Sequence, residues 1–203
     1  MTAEEGEGRA GVGRIEAFSD GVIAIIITIM VLELHAPISE RMEQLWGLWP
    51  VFVAYVLSYA YVAIYWVNHH RLFAHATRVS NGLLWSNMLL LFTLSLIPFS
   101  TSYLGEHHFA RGATILYLLT LLLPSVSYAW VQRIVRCSGR QSEAARAYHR
   151  QSLRKGLLST GVYLLGIPLA LVTPWLGIAC AAGVAMMWIL PTGPIDRLFD
   201  ASA

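Results

Sequence analysis

The chain has 203 residues, 56% of them hydrophobic and only 13% charged, with a formal net charge of +2 and a mean hydropathy of +0.56. A soluble domain carries about a quarter charged residues, so this composition excludes an ordinary water-soluble globule, and apolar runs of membrane-spanning length recur along the chain. Cys137 and Cys180 make neither a disulfide framework nor a CxxC motif, and nothing in so apolar a chain points to nucleic acid as a partner.

Residues 1–13, MTAEEGEGRAGVG, are acidic and Gly-rich; they read as a disordered tail and lack the basic n-region of a signal peptide. The first span is expected over 15–35, inside RIEAFSDGVIAIIITIMVLEL (14–34). The second, 46–67, carries Trp and Tyr near both ends as interfacial anchors. The third is expected over 82–104 and the fourth over 109–135. Residues 157–190 are nearly uncharged and would make a helix about 50 Å long, too long for a hydrocarbon core of about 30 Å. Proline disfavours helix at the residue before it, so Thr173-Pro174 divides this stretch into spans over 156–173 and 175–191. The fold expected is all-α: one polytopic transmembrane domain of six helices over 14–195, with a short C-terminal tail over 196–203.

Charge sets the orientation. Arg9 and Arg14 precede span one; Arg71 and Arg78 separate spans two and three. Arg133, Arg136, Arg140, Arg146, Arg150, Arg154 and Lys155 surround the loop after span four, and Arg197 follows span six. These twelve lie on one side under a six-span layout, leaving Arg41 and Arg111 on the other. The positive-inside rule then places both termini in the cytoplasm. The basic stretch 133–155 is expected to enforce topology, with contact to anionic headgroups as the alternative. In the last span Gly177, Ala181 and Ala185 recur every four residues, a spacing suited to close helix packing within the subunit.

The first span is the most informative. On a helical wheel Ile25, Ile29 and Leu32 cluster on one face, which Gly21, Phe18 and Arg14 continue, with Thr28 about 60° to its side. Glu16 and Asp20 fall roughly opposite, with Ser19 nearby. Polar groups in lipid are costly and usually functional. In one arrangement the Asp20 face lines a water-filled path. In the other, Ser19 and Asp20 bond to neighbouring helices and the apolar stripe faces elsewhere. The wheel leaves both open. Asp20 needs a partner in either case, and YWVNHHRLF (65–73) supplies candidates in Asn68, His69, His70 and Arg71 at the same membrane boundary. A structural polar network and a proton-relay site are both compatible with these residues. Asn87 and Thr93 in span three are available to join it.

RIEAFSDGVIAI followed by TIMVLEL resembles the signature of the transmembrane protein 175 family of potassium channels. The match lies in Arg14, then Phe18-Ser19-Asp20 after three residues, then Ala24, Ile25, Thr28 and the VLEL end. WVNHHRLF (66–73) resembles the family's second-helix ending. The resemblance implies a homotetramer of six-helix chains with the first helix lining a central pore. It implies an apolar pore constriction at Ile25, Ile29 and Leu32, and a selectivity-related polar layer at Thr28. No TVGYG filter loop is present. On this reading the Ile/Leu stripe faces the pore, and Arg14, Ser19 and Asp20 join Asn68, His69, His70 and Arg71 in an inter-helix network. Glu33 would stand at the outer mouth and concentrate cations, with a structural interfacial role as the alternative.

The function expected is a potassium-permeable cation channel of the plasma membrane. Its partners are copies of itself, membrane lipid and monovalent cations (K+, with H+ or Na+ as further permeants), and it requires no cofactor and no metal. A proton-permeable channel of the same architecture is the alternative. A membrane enzyme or haem protein is disfavoured: His69 and His70 are adjacent, His107 and His108 lie at the opposite boundary, and HExxH and GxSxG are absent. A secondary transporter is disfavoured because Pro98, Pro124 and Pro168 do not form corresponding pairs of broken helices.

Overall fold

Backbone amides in lipid must be satisfied within the segment that carries them, and the structure meets this with helices. The computed structural model describes residues 3–37, 41–138 and 142–190. Among these the elements are α1 (Ala3–Leu32), α2 (Met42–Gly47), α3 (Trp49–Phe73), α4 (Asn81–Leu94), α5 (Ile97–Glu106), α6 (Arg111–Cys137), α7 (Glu143–Val172) and α8 (Pro174–Ile189), with no strand. Five helices or helix pairs are long and apolar enough to cross a membrane: Gly8–Leu32, Trp49–Phe73, Asn81–Glu106, Arg111–Cys137 and Ala145–Val172. The sixth apolar helix, α8, has 16 residues.

Proline chemistry places two of the breaks. Pro98 lies in the first turn of α5 and has no N–H to offer the turn before it, so α4 and α5 separate at Ser95-Leu96. Thr173 is extended (φ −148°, ψ 134°) before Pro174, which divides α7 from α8 where the sequence predicts. Pro124 and Pro168 lie inside α6 and α7 without ending them.

α6 is the common neighbour of the other helices, packing on α3, α4, α5, α7 and α8. Without a hydrophobic drive between helices in lipid, small residues and hydrogen bonds hold them. The Ser58 hydroxyl meets Tyr117 at 2.9 Å and Thr101 at 2.7 Å, joining α3, α5 and α6. Tyr61 donates to the Ala181 carbonyl (2.6 Å) and Tyr128 to the Asn68 carbonyl (3.0 Å). The Gly177-Ala181-Ala185 stripe is buried inside the chain, as expected for packing within the subunit. At one end of the bundle Phe109 adopts a left-handed φ of 56°. This seats its ring between Trp49 (5.7 Å) and Trp175 (5.2 Å), where α3, α6 and α8 converge. We call this the aromatic end, and the end carrying Arg14, Arg71 and Arg136 the basic end.

Several expected boundaries are corrected. The stretch 1–13 is not a disordered tail throughout, because α1 runs back to Ala3. Packing explains the extension. Val12 is buried, and a Cβ at Gly8 or Gly11 would stand 3.0 Å from the Thr77 carbonyl or 2.9 Å from the Val79 side chain, so glycine lets the helix lie against that segment. The second span does not end at 67 but continues to Phe73, placing Asn68–Arg71 on helix. The basic stretch 133–155 is mostly helical. α6 continues to Cys137, and α7 begins at Glu143 behind Ser142, whose hydroxyl accepts from the Ala145 N–H. Buried Ala145, Tyr148, His149 and Ser152 reward that extension with packing. The expected tail over 196–203 lies outside the described residues.

A Cβ added at Gly105 would meet the Val51 Cα at 2.7 Å, a backbone atom that cannot turn aside. Gly105→Ala is therefore expected to lower stability by about 1–3 kcal/mol. It should be read as a lower thermal unfolding midpoint in detergent. Gly161→Ala, with nothing within 4 Å of the new carbon, should leave the midpoint unchanged or raised.

Candidate functional site

α1 packs on α3, α4 and α5 and presents two distinct faces. Val12, Ile15, Ser19, Ile23, Ile26 and Met30 repeat at three- and four-residue steps and are buried. Arg14, Phe18, Gly21, Ile25, Ile29 and Leu32 repeat in the same way and remain exposed. The axes of the two faces lie roughly 130° apart. Ile25, Ile29 and Leu32 are 58%, 41% and 75% exposed, so the chain's own fold leaves the expected stripe uncovered.

Thr28 is exposed beside this stripe and donates its hydroxyl proton to the Ile25 carbonyl (2.8 Å). With the proton committed to the backbone, the oxygen offers lone pairs outward, which suits a cation rather than an anion. Glu33 lies just past the last residue of α1 and is half-buried. Its carboxylate stands near the negative end of the helix dipole, where a cation is favoured and an anion is not.

The polar residues face the other way and are used within the chain. Ser19 has one proton and donates it to the Ile15 carbonyl (2.9 Å). It must therefore accept from the Asn87 side-chain nitrogen, also at 2.9 Å. That turns Asn87 Oδ1 toward His69 Nε2 (2.9 Å), which in turn must carry a hydrogen. The protons thus run one way, from His69 to Asn87 to Ser19 to the backbone, across α3, α4 and α1. All three side chains are at most 1% exposed. A neutral His69 satisfies this chain.

Two further rungs flank it. Trp66 Nε1 donates to Asp20 Oδ1 (3.0 Å), and His70 Nδ1 meets Glu16 Oε1 (2.6 Å). Glu16/Asp20 and Trp66/His70 are both four residues apart, so two antiparallel helices present matched pairs on facing sides. Asp20's partner is thus Trp66, a residue not among the expected ones; the shared spacing was the signal for it. Asn68 is buried in the same region but bonds within α3, its Nδ2 donating to the Ile64 carbonyl (2.7 Å). Arg71 lies on the wall of a separate cavity with Tyr148, Gln151 and Lys155. Arg14 is exposed and makes no ion pair among the described residues. Thr93 stands apart, donating to the Leu90 carbonyl (2.8 Å) near Ser127.

The remaining histidines do not build a metal site. His75 and His149 approach to 5.8 Å between ring centroids, and burial pushes the His75 imidazole below its usual range. No group of three or more ligating side chains occurs among the described residues.

Known proteins are similar to this chain in sequence and in fold. A family model described as "Endosomal/lysosomal potassium channel TMEM175" matches residues 14–98, the segment that builds the exposed stripe and the polar rungs. A potassium channel of Chryseobacterium sp. (strain P1-3) is 41% identical over 186 residues, covering 91% of this chain and 96% of that one. The crystal structure of a lysosomal potassium-selective channel TMEM175 homolog from Chamaesiphon minutus superposes with a TM-score of 0.78 at 30% identity, over 89% of this chain and 97% of that one. The endosomal/lysosomal proton channel TMEM175 of Rattus norvegicus is 33% identical over 110 residues, 48% of this chain and 22% of that one.

Asn87 is the hinge of the polar chain, since it alone touches both other side chains. Asn87→Leu strands the Ser19 hydroxyl and the His69 ring and should cost about 2–4 kcal/mol, whereas Trp66→Phe at the exposed rung should cost about 1 kcal/mol. A cycle with Ser19→Ala, read from thermal midpoints in detergent, should be clearly less than additive.

Proposed function

The chain belongs to the TMEM175 family of cation channels, and from that premise we propose that it forms a potassium-permeable pore around four copies of α1. The observation that carries this reading is the segregation on α1. The Ile25-Ile29-Leu32 stripe is left open beside an outward Thr28 oxygen, while Ser19, Asp20 and Glu16 are spent on α3 and α4. Four such stripes around an axis make an apolar constriction that closes by excluding water. Ions pass when the helices splay, and the Thr28 ring then supplies oxygen to a partly dehydrated cation. A constriction without a carbonyl filter gives a modest preference for potassium over sodium. Glu33 raises the local cation concentration at the outer mouth.

The accompanying topology is six spans with both termini cytoplasmic, in the plasma membrane. α8, at 16 residues or about 24 Å, crosses by local thinning of the bilayer and by residues flanking its ends. The distribution of arginine on the two sides supports this orientation.

A second reading is a proton-permeable pore of the same build, which the name of the rat relative favours. Bi-ionic recording from reconstituted protein separates the two. A reversal potential that follows the potassium gradient is expected, and one that follows only a pH gradient would replace potassium with protons. Absence of cation flux in liposomes would sink both. Ile25→Asn places an amide from each chain in the constriction and is expected to raise resting flux by about tenfold or more, since about 1.4 kcal/mol off a barrier is tenfold in rate. Unchanged flux would remove Ile25 from the constriction.

A further inference from the structure

The part of α1 that lies beyond the polar rungs has no role in the pore reading, yet it is closely held. From Gly8 to Gly13 the helix runs past Glu16 at the basic end and lies against residues 77–79, in the connection from α3 to α4. A Cβ at Gly8 would stand 3.0 Å from the Thr77 carbonyl oxygen and 3.8 Å from the Arg78 Cβ; one at Gly11 would stand 2.9 Å from Val79 Cγ2. Val79 is β-branched and stiff about χ1, so it does not turn aside freely. Val12 is 3% exposed, and Ile15, one turn on, is 9% exposed. The contact therefore resists movement both ways. Toward the connection there is no room, and away from it Val12 and Ile15 lose their apolar cover.

The connection is itself anchored. The Ala74, His75 and Ala76 amides donate to the His70, Leu72 and Phe73 carbonyls at the end of α3. Ser80 caps α4, its hydroxyl accepting from the Leu83 N–H (3.2 Å). Thr77 donates to the Ser138 carbonyl at the end of α6 (3.5 Å), and the His75 ring lies 5.5 Å from that of Tyr148 on α7. Four helices thus meet at the segment on which the arm of α1 rests.

We propose that residues 8–13 are a latch that holds the tilt of α1 and so keeps the Ile25-Ile29-Leu32 constriction closed, a role that rests on the pore reading above. The rungs at residues 16–20 are the pivot. Gly11 lies about 12 Å from Ser19 on one side and Leu32 about 20 Å on the other, so the arm and the stripe move in opposite senses when the helix tilts. A movement of about 3 Å at Leu32 carries Gly11 about 2 Å across Val79. The contact there has no slack to absorb it. Splay of the stripe therefore requires the arm to leave its seat, and the ends of α3, α4, α6 and α7 hold that seat in place.

The test uses the full-length protein in liposomes, with potassium flux and backbone hydrogen exchange read on the same variants. Gly11→Val drives the arm off Val79, so exchange over residues 8–15 should rise, and resting potassium flux should rise by about fivefold or more. Val79→Ala in the same chain makes room for the added methyl groups and should bring both back toward wild type. Gly13→Val, with nothing within 4 Å of its Cβ, should change neither. The reverse experiment pins the arm. Gly8→Cys with Arg78→Cys sets two Cβ atoms 3.8 Å apart, a separation that a disulfide spans. Made in a chain with Cys137→Ser and Cys180→Ala, which removes both native thiols, this pair should lower potassium flux by about fivefold or more on oxidation and restore it on reduction. Exchange that rises in Gly11→Val without a rise in flux, while Ile25→Asn conducts more, would overturn the latch and leave the pore reading intact. So would an arm that stays protected in Gly11→Val, or an oxidised protein that conducts like the reduced one. Absence of cation flux in every variant, Ile25→Asn included, would overturn both.

Discussion

The rotation of α1 about its own axis is the quantity on which the rest depends. In lipid, apolar packing fixes that rotation poorly, because a leucine gains little by exchanging a lipid tail for another side chain. Directional bonds fix it instead. Turning α1 by one residue, about 100°, would strand Ser19, Asn87 and His69 together in a region where each is at most 1% exposed. Each unsatisfied buried group costs about 1–3 kcal/mol, so the wrong rotation is several kcal/mol uphill. The polar residues in an otherwise apolar helix are therefore used to aim it, and the aim leaves Ile25, Ile29 and Leu32 uncovered.

An aimed helix needs a fixed reference, and the other helices provide one. α3 carries Trp66, His69 and His70, and α4 carries Asn87. Neither floats. α3 is tied to α6 through Ser58 and Tyr117 and through the Asn68 carbonyl and Tyr128, and to α8 through Tyr61 and the Ala181 carbonyl. Most of these bonds end on a backbone carbonyl or on a fully buried tyrosine, so they add little freedom of their own. Close contacts at Gly105 and Gly177 bring the backbones near enough for the bonds to form. The rotation of α1 is thereby referred to the buried core around α6.

Much of this was legible in the sequence. Thr173-Pro174 gave its break because proline acts locally, on the residue before it. The separation of Ser19 and Asp20 from the Ile/Leu stripe followed from helix geometry alone. Asn87 stood out as a polar residue in an apolar span. What was missed depends on tertiary contact. Hydropathy saw Gly and Glu at the N-terminus and predicted disorder, but it could not see that Gly8 and Gly11 lie against Thr77 and Val79. It read 133–155 as a loop because the stretch is rich in arginine, while buried Tyr148, His149 and Ser152 hold residues 143–155 in α7. Asn68, His69, His70 and Arg71 were the candidates for Asp20 because each can bond to or pair with a carboxylate. The indole of Trp66 meets it instead, since residues 66 and 70 share the face that α3 turns to α1 and residue 71 does not.

The position of the polar rungs also constrains how a pore built on α1 would open. They lie at residues 16–20, near the basic end, and the apolar stripe begins about 8 Å further along the helix at Ile25. Opening by rotation would turn the stripe aside but would break the Ser19–Asn87–His69 chain and both rungs at once. Opening by splay about the rungs would move Ile29 and Leu32 most and leave every one of those bonds in place. Splay is the cheaper motion by several kcal/mol. It also widens the stripe unequally, most at Leu32 and least at Ile25. The layer nearest the rungs would then be the last to rehydrate, and Ile25 rather than Leu32 would set the threshold for conduction.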